Sequence, residues 1–70
     1  MTEDSVKIIS KNLKDARTKA GLTQNELADK AGISVNYYAR LERAEVTPSV
    51  ETIEKAVRAL GIKSSDILPF

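Results

Sequence analysis

The 70-residue sequence contains no cysteine and no histidine. Disulfides are therefore impossible, and the usual zinc sites lack their ligands. Ser-His-Asp and Cys-His nucleophilic machinery is excluded for the same reason. No apolar run approaches the roughly 20 residues that a membrane-spanning helix needs, so no membrane partner is expected. Aromatic residues make up only 4 %, and no stretch alternates apolar and polar residues for long, which leaves little signal for strands. Charge of one sign is also missing: 11 Lys and Arg face 10 Asp and Glu, for a formal net charge of +1. Taken alone, that balance argues against a strongly basic nucleic-acid binder. Met1-Thr2-Glu3-Asp4 is acidic and polar, unlike a secretory leader, and the cytoplasm is the expected compartment. No cofactor, metal or small-molecule ligand is expected.

What is present is ordinary for one soluble domain over residues 1–70, with 41 % hydrophobic and 30 % charged residues. Below about 70–80 residues a core without staples rarely supplies more than roughly 3–5 kcal/mol. Such a chain must pack its helices efficiently or gain stability from a partner.

Helical spacing is strong. Val6, Ile9, Leu13, Ala16 and Ala20 draw one apolar stripe, predicting a helix over about 5–20 that is capped by Asp4 or Ser5 and stopped at Gly21. Thr23 with Glu26 makes a capping box for a short helix over 24–31, ended by Gly32. Ser34 caps a third helix over about 35–43. Pro48 disfavours helix at Thr47. Ser49 then caps a fourth helix with Val50, Ile53, Ala56, Val57 and Leu60 on one face, closed by Gly61. A last turn through Asp66, Ile67 and Leu68, capped by Ser64 or Ser65, ends at Pro69.

The informative unit is residues 23–43. Two short helices separated only by Gly32, Ile33 and Ser34 must cross steeply, which makes a helix-turn-helix. In the third helix Tyr38 and Leu41 face inward. Asn36, Arg40 and Arg43 form a separate polar stripe, with Val35 beside it. Asn suits adenine, Arg suits guanine or phosphate, and Val suits a thymine methyl. A merely solvated helix face has the same pattern.

The segments Gly21-Leu22-Thr23-Gln24-Asn25-Glu26-Leu27-Ala28, Ala31-Gly32-Ile33-Ser34, Leu41-Glu42-Arg43, Pro48-Ser49-Val50-Glu51-Thr52-Ile53 and Ala59-Leu60-Gly61 follow one another in a specific order and spacing. Through them residues 9–68 resemble the Cro- and phage-repressor-type (xenobiotic-response-element) helix-turn-helix family. The resemblance implies an all-α, compact, lambda-repressor-like bundle of four helices plus a short fifth. It also implies dimeric binding of palindromic operators in double-stranded DNA. By the same resemblance Ser34, Val35, Asn36 and Arg40 fall at base-reading positions, with Ser34 also a helix cap. Gln24, Tyr37 and Arg43 fall at phosphate-contacting positions, against the plainer readings of an exposed first-turn residue for Gln24 and a packing residue for Tyr37. Arg17 and Glu42 are expected to pair and tie the third helix to the first.

Two residues depart from the family's pattern. Ala44 stands where Gly or Asn is common, so the loop is expected to cap differently. Tyr38 replaces a small β-branched residue, so the third helix is expected to sit further from the body. The charge is also uneven. From Lys7 to Arg43 there are eight basic and four acidic side chains, a surplus of four, whereas Ala44 to Phe70 carries a net −1. Ile67, Leu68 and Phe70 either cover the core edge or form a two-fold interface of a homodimer. The leading reading is a DNA-binding transcriptional regulator: a phage-type repressor, a restriction-modification controller or an antitoxin. A protein–protein adaptor of the same fold is the second reading. An enzyme is the third and weakest, because acid pairs such as Glu51 with Glu54 are ordinary on an exposed helix.

Overall fold

Four helices each begin on a hydroxyl side chain that accepts an otherwise free backbone N–H. Oγ1 of Thr2 accepts from Ser5 N at 3.0 Å, Oγ1 of Thr23 from Glu26 N at 3.0 Å, Oγ of Ser34 from Tyr37 N at 3.1 Å and Oγ of Ser49 from Thr52 N at 3.1 Å. Each such cap stabilises its helix by about 1 kcal/mol. The computed structural model describes residues 1–70, with α1 at Glu3–Lys19, α2 at Gln24–Ala31, α3 at Val35–Glu42, α4 at Val50–Leu60 and a 3-10 turn at Ser64–Asp66. The fold is all-helical, as the resemblance implies. α1 starts earlier than the apolar spacing predicts, because Thr2 is its cap and not Asp4 or Ser5. The last turn is also displaced: it begins after Lys63, whose N–H donates to the Asp66 carboxylate at 3.0 Å, so Ser64 lies within the turn.

All four helices close the same way. The residue beyond the helix is left-handed, its N–H donates three residues back, and the next N–H donates five residues back. The pairs are Gly21 N to Thr18 O with Leu22 N to Arg17 O, Gly32 N to Asp29 O with Ile33 N to Ala28 O, Ala44 N to Leu41 O with Glu45 N to Arg40 O, and Gly61 N to Arg58 O with Ile62 N to Val57 O. The loop after α3 therefore does not cap differently. Ala44 takes φ 58° and closes the helix as the glycines do. An L-residue with a Cβ pays about 1 kcal/mol or more for that conformation.

The core has two parts. Ile9 and Leu13 of α1 pack with Ile53, Ala56 and Val57 of α4 and with Ile67. Leu27 and Ala28 of α2 pack with Tyr38 and Leu41 of α3 and with Ala59 of α4. α4 thus belongs to both. Ile67 is fully buried, and Asn12 Nδ2 donates to its carbonyl at 2.9 Å. It is a core residue and is withdrawn from the candidate dimer surface, which leaves Leu68 and Phe70. Two other expectations about the apolar stripes also change. Ala20 is exposed. Val50 is 80 % exposed, while Thr52 is buried in its place.

Tyr38 fits wholly inside the second cluster, and its hydroxyl makes no hydrogen bond. Burial pushes the phenol far above its ordinary ionisation range, so it stays neutral.

Arg17 and Glu42 meet across α1 and α3. Arg17 Nε donates to Glu42 Oε2 at 2.6 Å and Nη2 to Oε1 at 3.1 Å, a bidentate pair. A third Arg17 nitrogen, Nη1, donates to the Leu22 carbonyl at 2.7 Å. Gln24 Nε2 donates to Glu42 Oε1 at 3.0 Å. The two charged side chains are only 14 % and 3 % exposed. Burial alone raises the Glu42 carboxyl, but the Arg17 hydrogen bonds, the nearby Tyr38 hydroxyl and the Gln24 hydrogen bond together outweigh it and hold the group below the ordinary carboxylate value.

Two measurements test these assignments. Glu42→Ala strands the Arg17 cation and is expected to cost about 3 kcal/mol in urea denaturation. A variant that melts normally and only binds DNA more tightly refutes the structural role. Ala44→Gly relieves the left-handed strain and is expected to gain about 0.5–1 kcal/mol, after the glycine's larger unfolded-state entropy is counted. That gain reads as a rise of several degrees in a thermal melt.

Candidate nucleic-acid interface

α3 is held from below and free above. Tyr38 and Leu41 are fully buried. Ser34, Asn36 and Arg40 are exposed, and Val35 is 38 % exposed. Ser34, Val35 and Asn36 lie at the N-terminal end of α3, and Arg40 follows one turn after Asn36. Ser34 Oγ accepts the Tyr37 N–H, which leaves its own O–H free to donate. The capping role and an outward contact are therefore compatible.

The three residues expected at phosphate positions differ in their freedom. Gln24 is partly buried, and one N–H of its amide is taken by Glu42. The other amide N–H remains for a second acceptor. Its position at the start of α2 also places it beside unpaired helix N–H groups, which favour anions. Tyr37 is half-buried and packs against the second cluster. Its hydroxyl lies 3.4 Å from Thr52 Oγ1, a long contact, and Thr52 is itself 2.9 Å from Ser49 Oγ. Tyr37 is thus largely a packing residue with a polar edge. Arg43 is 57 % exposed, and its guanidinium donates to Glu45 through Nε at 2.8 Å and Nη2 at 3.3 Å.

Sequence reasoning missed Glu45. The hydrogen bonds and charge of Arg43, with Arg40 nearby, hold its carboxyl below the ordinary value, so it is ionised at neutral pH. The legible signal was its place directly after the left-handed residue that closes α3, where the other helices carry Leu22, Ile33 and Ile62. Thr52 was missed because a threonine between Glu51 and Ile53 gives no apolar periodic signal. The nearby cations of α1 are partly neutralised as well: Lys7 lies 3.8 Å from Glu3, and Lys11 lies 3.0 Å from Asp15.

Between α4 and the C-terminal segment a groove of about 320 Å³ is lined by Val50, Ile53, Val57, Leu68 and Phe70 among others. Phe70 is 79 % exposed at its edge. Glu54 and Arg58 also border it and pair with each other at 3.2 Å. No group of His, Cys, Asp and Glu side chains is arranged to hold a metal ion, and no helix is long and apolar enough to cross a membrane.

Comparison with known proteins places this geometry. A family model described as helix-turn-helix matches residues 13–67. The immunity repressor protein of Bacillus phage phi105 is 40 % identical over 60 residues, which is 86 % of this chain and 42 % of that protein. The uncharacterized HTH-type transcriptional regulator y4dJ of Sinorhizobium fredii is 32 % identical over 65 residues, 93 % of this chain and 84 % of that one. The chain therefore spans less than half the length of the phage repressor and most of the second relative. Among solved structures, the restriction-modification controller protein C.AhdI from Aeromonas hydrophila superposes with a TM-score of 0.89 at 28 % identity, over 93 % of this chain and 98 % of that one. The residues matched by the family model include the whole of α2, α3 and α4, and the chain belongs to the Cro- and phage-repressor-type helix-turn-helix family.

Proposed function

We propose that the chain is a sequence-specific transcriptional regulator that binds palindromic operator DNA as a homodimer in the cytoplasm, each copy laying α3 in a major groove. The observation that carries this reading is the exposed face of α3, where Ser34, Val35, Asn36 and Arg40 stand above a fully buried Tyr38 and Leu41. Side chains on such a face reach base edges while the helix itself stays anchored. Asn36 and Arg40 offer bidentate donor and acceptor patterns that distinguish adenine and guanine in the major groove. Gln24, Arg43 and the edge of Tyr37 set register on the phosphates, which fixes orientation without reading sequence.

Size supports the second copy. The body measures 28 × 23 × 20 Å, whereas successive major-groove half-sites lie about 34 Å apart. One copy covers one half-site. The apolar groove beside α4 is self-complementary in charge, because Glu54 and Arg58 border it together. A two-fold axis through the groove sets each acid against the other copy's base. Leu68 and Phe70 supply the apolar contact.

Selection of bound sequences from random duplex DNA is expected to return a two-fold symmetric site. Asn36→Ala combined with Arg40→Ala should then lower the preference for that site over mixed DNA by about tenfold to a hundredfold, as expected for lost bidentate base contacts, with an unchanged thermal melt. If that variant keeps its DNA binding and loses a protein partner instead, the adaptor reading replaces this one. Sedimentation equilibrium should show a dimer that Phe70→Ala weakens. A strict monomer, both free at high concentration and on the selected duplex, rules out the two-fold interface.

A further inference from the structure

The ends of α1, α2 and α4 share a detail that the end of α3 lacks. After the left-handed residue the chain places Leu22, Ile33 and Ile62, each partly buried and packed back onto the core. This apolar contact commonly accompanies the closure. After α3 the equivalent residue is Glu45, with a side chain 46 % exposed. Its backbone N–H is fixed to the Arg40 carbonyl at 2.9 Å, and Ala44 holds φ 58° to bring it there. Its carboxylate takes the two hydrogen bonds from Arg43 and lies 3.7 Å from Arg40 Nε.

Nothing in the helix itself favours an acid at this place. The C-terminal end of a helix carries partial negative charge and stabilises cations, and Glu42 already stands there. What holds Glu45 is the pair of arginines. These are the cations that the proposed function assigns to DNA, and a carboxylate bound in this forked way offers a guanidinium the same planar oxygen pair as a phosphate.

We propose that Glu45 is an intramolecular competitor for phosphate, a positioning residue that occupies Arg40 and Arg43 in the free protein and must be exchanged for DNA oxygens on binding. This rests on the DNA-binding reading above. The exchange lowers affinity for every duplex by a similar factor. It also flattens the salt dependence, because the released carboxylate regains solvent and counterions while the phosphates shed theirs. The backbone closure supplies the preorganisation: the hydrogen bond from the Glu45 N–H to the Arg40 carbonyl keeps the residue beside the arginines, so only its side chain has to swing away in the exchange.

The test compares wild-type protein with Glu45→Gln and Glu45→Ala on two probes, a mixed-sequence duplex and the duplex recovered by selection, over a series of salt concentrations. Both variants are expected to bind both duplexes about fivefold more tightly, the scale of two exposed ion pairs. The slope of log affinity against log salt should steepen by about one. Asp15→Asn makes the same change in net charge on α1, at the exposed pair with Lys11, and is expected to give less than half of that gain. In an Arg43→Ala background the gain from Glu45→Gln should fall to about twofold or less. Unchanged or weaker binding by both variants with normal melts overturns the proposal. So does an equal gain from Asp15→Asn, or an undiminished gain in the Arg43→Ala background. If wild-type protein binds neither duplex even at low salt, the DNA-binding reading falls and this inference with it. If wild-type protein binds and the Glu45 variants behave like it, only this inference falls.

Discussion

The guanidinium of Arg17 is the point on which the arrangement of the helices turns. It rises from α1, holds the Leu22 carbonyl in the first turn and grips both oxygens of Glu42 at the end of α3. Glu42 in turn receives Gln24 from the start of α2. α1, the turn after it, the start of α2 and the end of α3 are thereby fixed around one ion pair. The pair is nearly sealed from water, and such a pair costs desolvation that its geometry must offset. Here all of its strong partners are supplied by the protein, and its value lies in fixing the angle at which α3 leaves the body. An apolar substitute would pack but would not specify that angle.

Against that constraint, the remaining stabilising contacts are modest and repeated. Four hydroxyl caps and four left-handed closures bracket four short helices. None is large, but a chain of this size has only a small core to draw on. α4 then joins the halves, with Ile53 and Val57 in one cluster and Ala59 in the other. α3 is thus supported by local caps, by one buried ion pair and by a neighbour that shares its core.

Much of this was legible in the residues. Thr23 with Glu26, Ser34 and Ser49 announced their helices because capping is local chemistry that depends on residues three apart. The glycines announced the ends. α1 was misjudged at its start because Thr2, Asp4 and Ser5 are all cap residues, and only the geometry selects among them. Ile67 was ambiguous because apolarity says that a side chain avoids water without saying what covers it. The cover comes from Ile9 and Leu13 of α1 with Ile53, Ala56 and Val57 of α4, while Asn12, 55 residues away, holds its carbonyl. Ala44 was recognised as an unsuitable residue for its place, yet the expected remedy was wrong: the rest of the closure overrides the local preference. Glu45 escaped notice because a charged residue in a loop is ordinary until the neighbouring helix ends are compared with it. Arg17 with Glu42 came from the family resemblance, since no local rule links residues 25 apart.

The groove beside α4 has a floor made of the core itself. Ile53 and Val57 line it and are also members of the first cluster, only 5 % and 7 % exposed. Whatever seats there covers the thin wall of the hydrophobic interior, so occupancy and folding draw on one equilibrium. For a second copy, that makes the endurance of each molecule a function of how many others surround it. With the proposed second copy as occupant, a dilute solution would hold less durable molecules, and abundance would become a form of structural support.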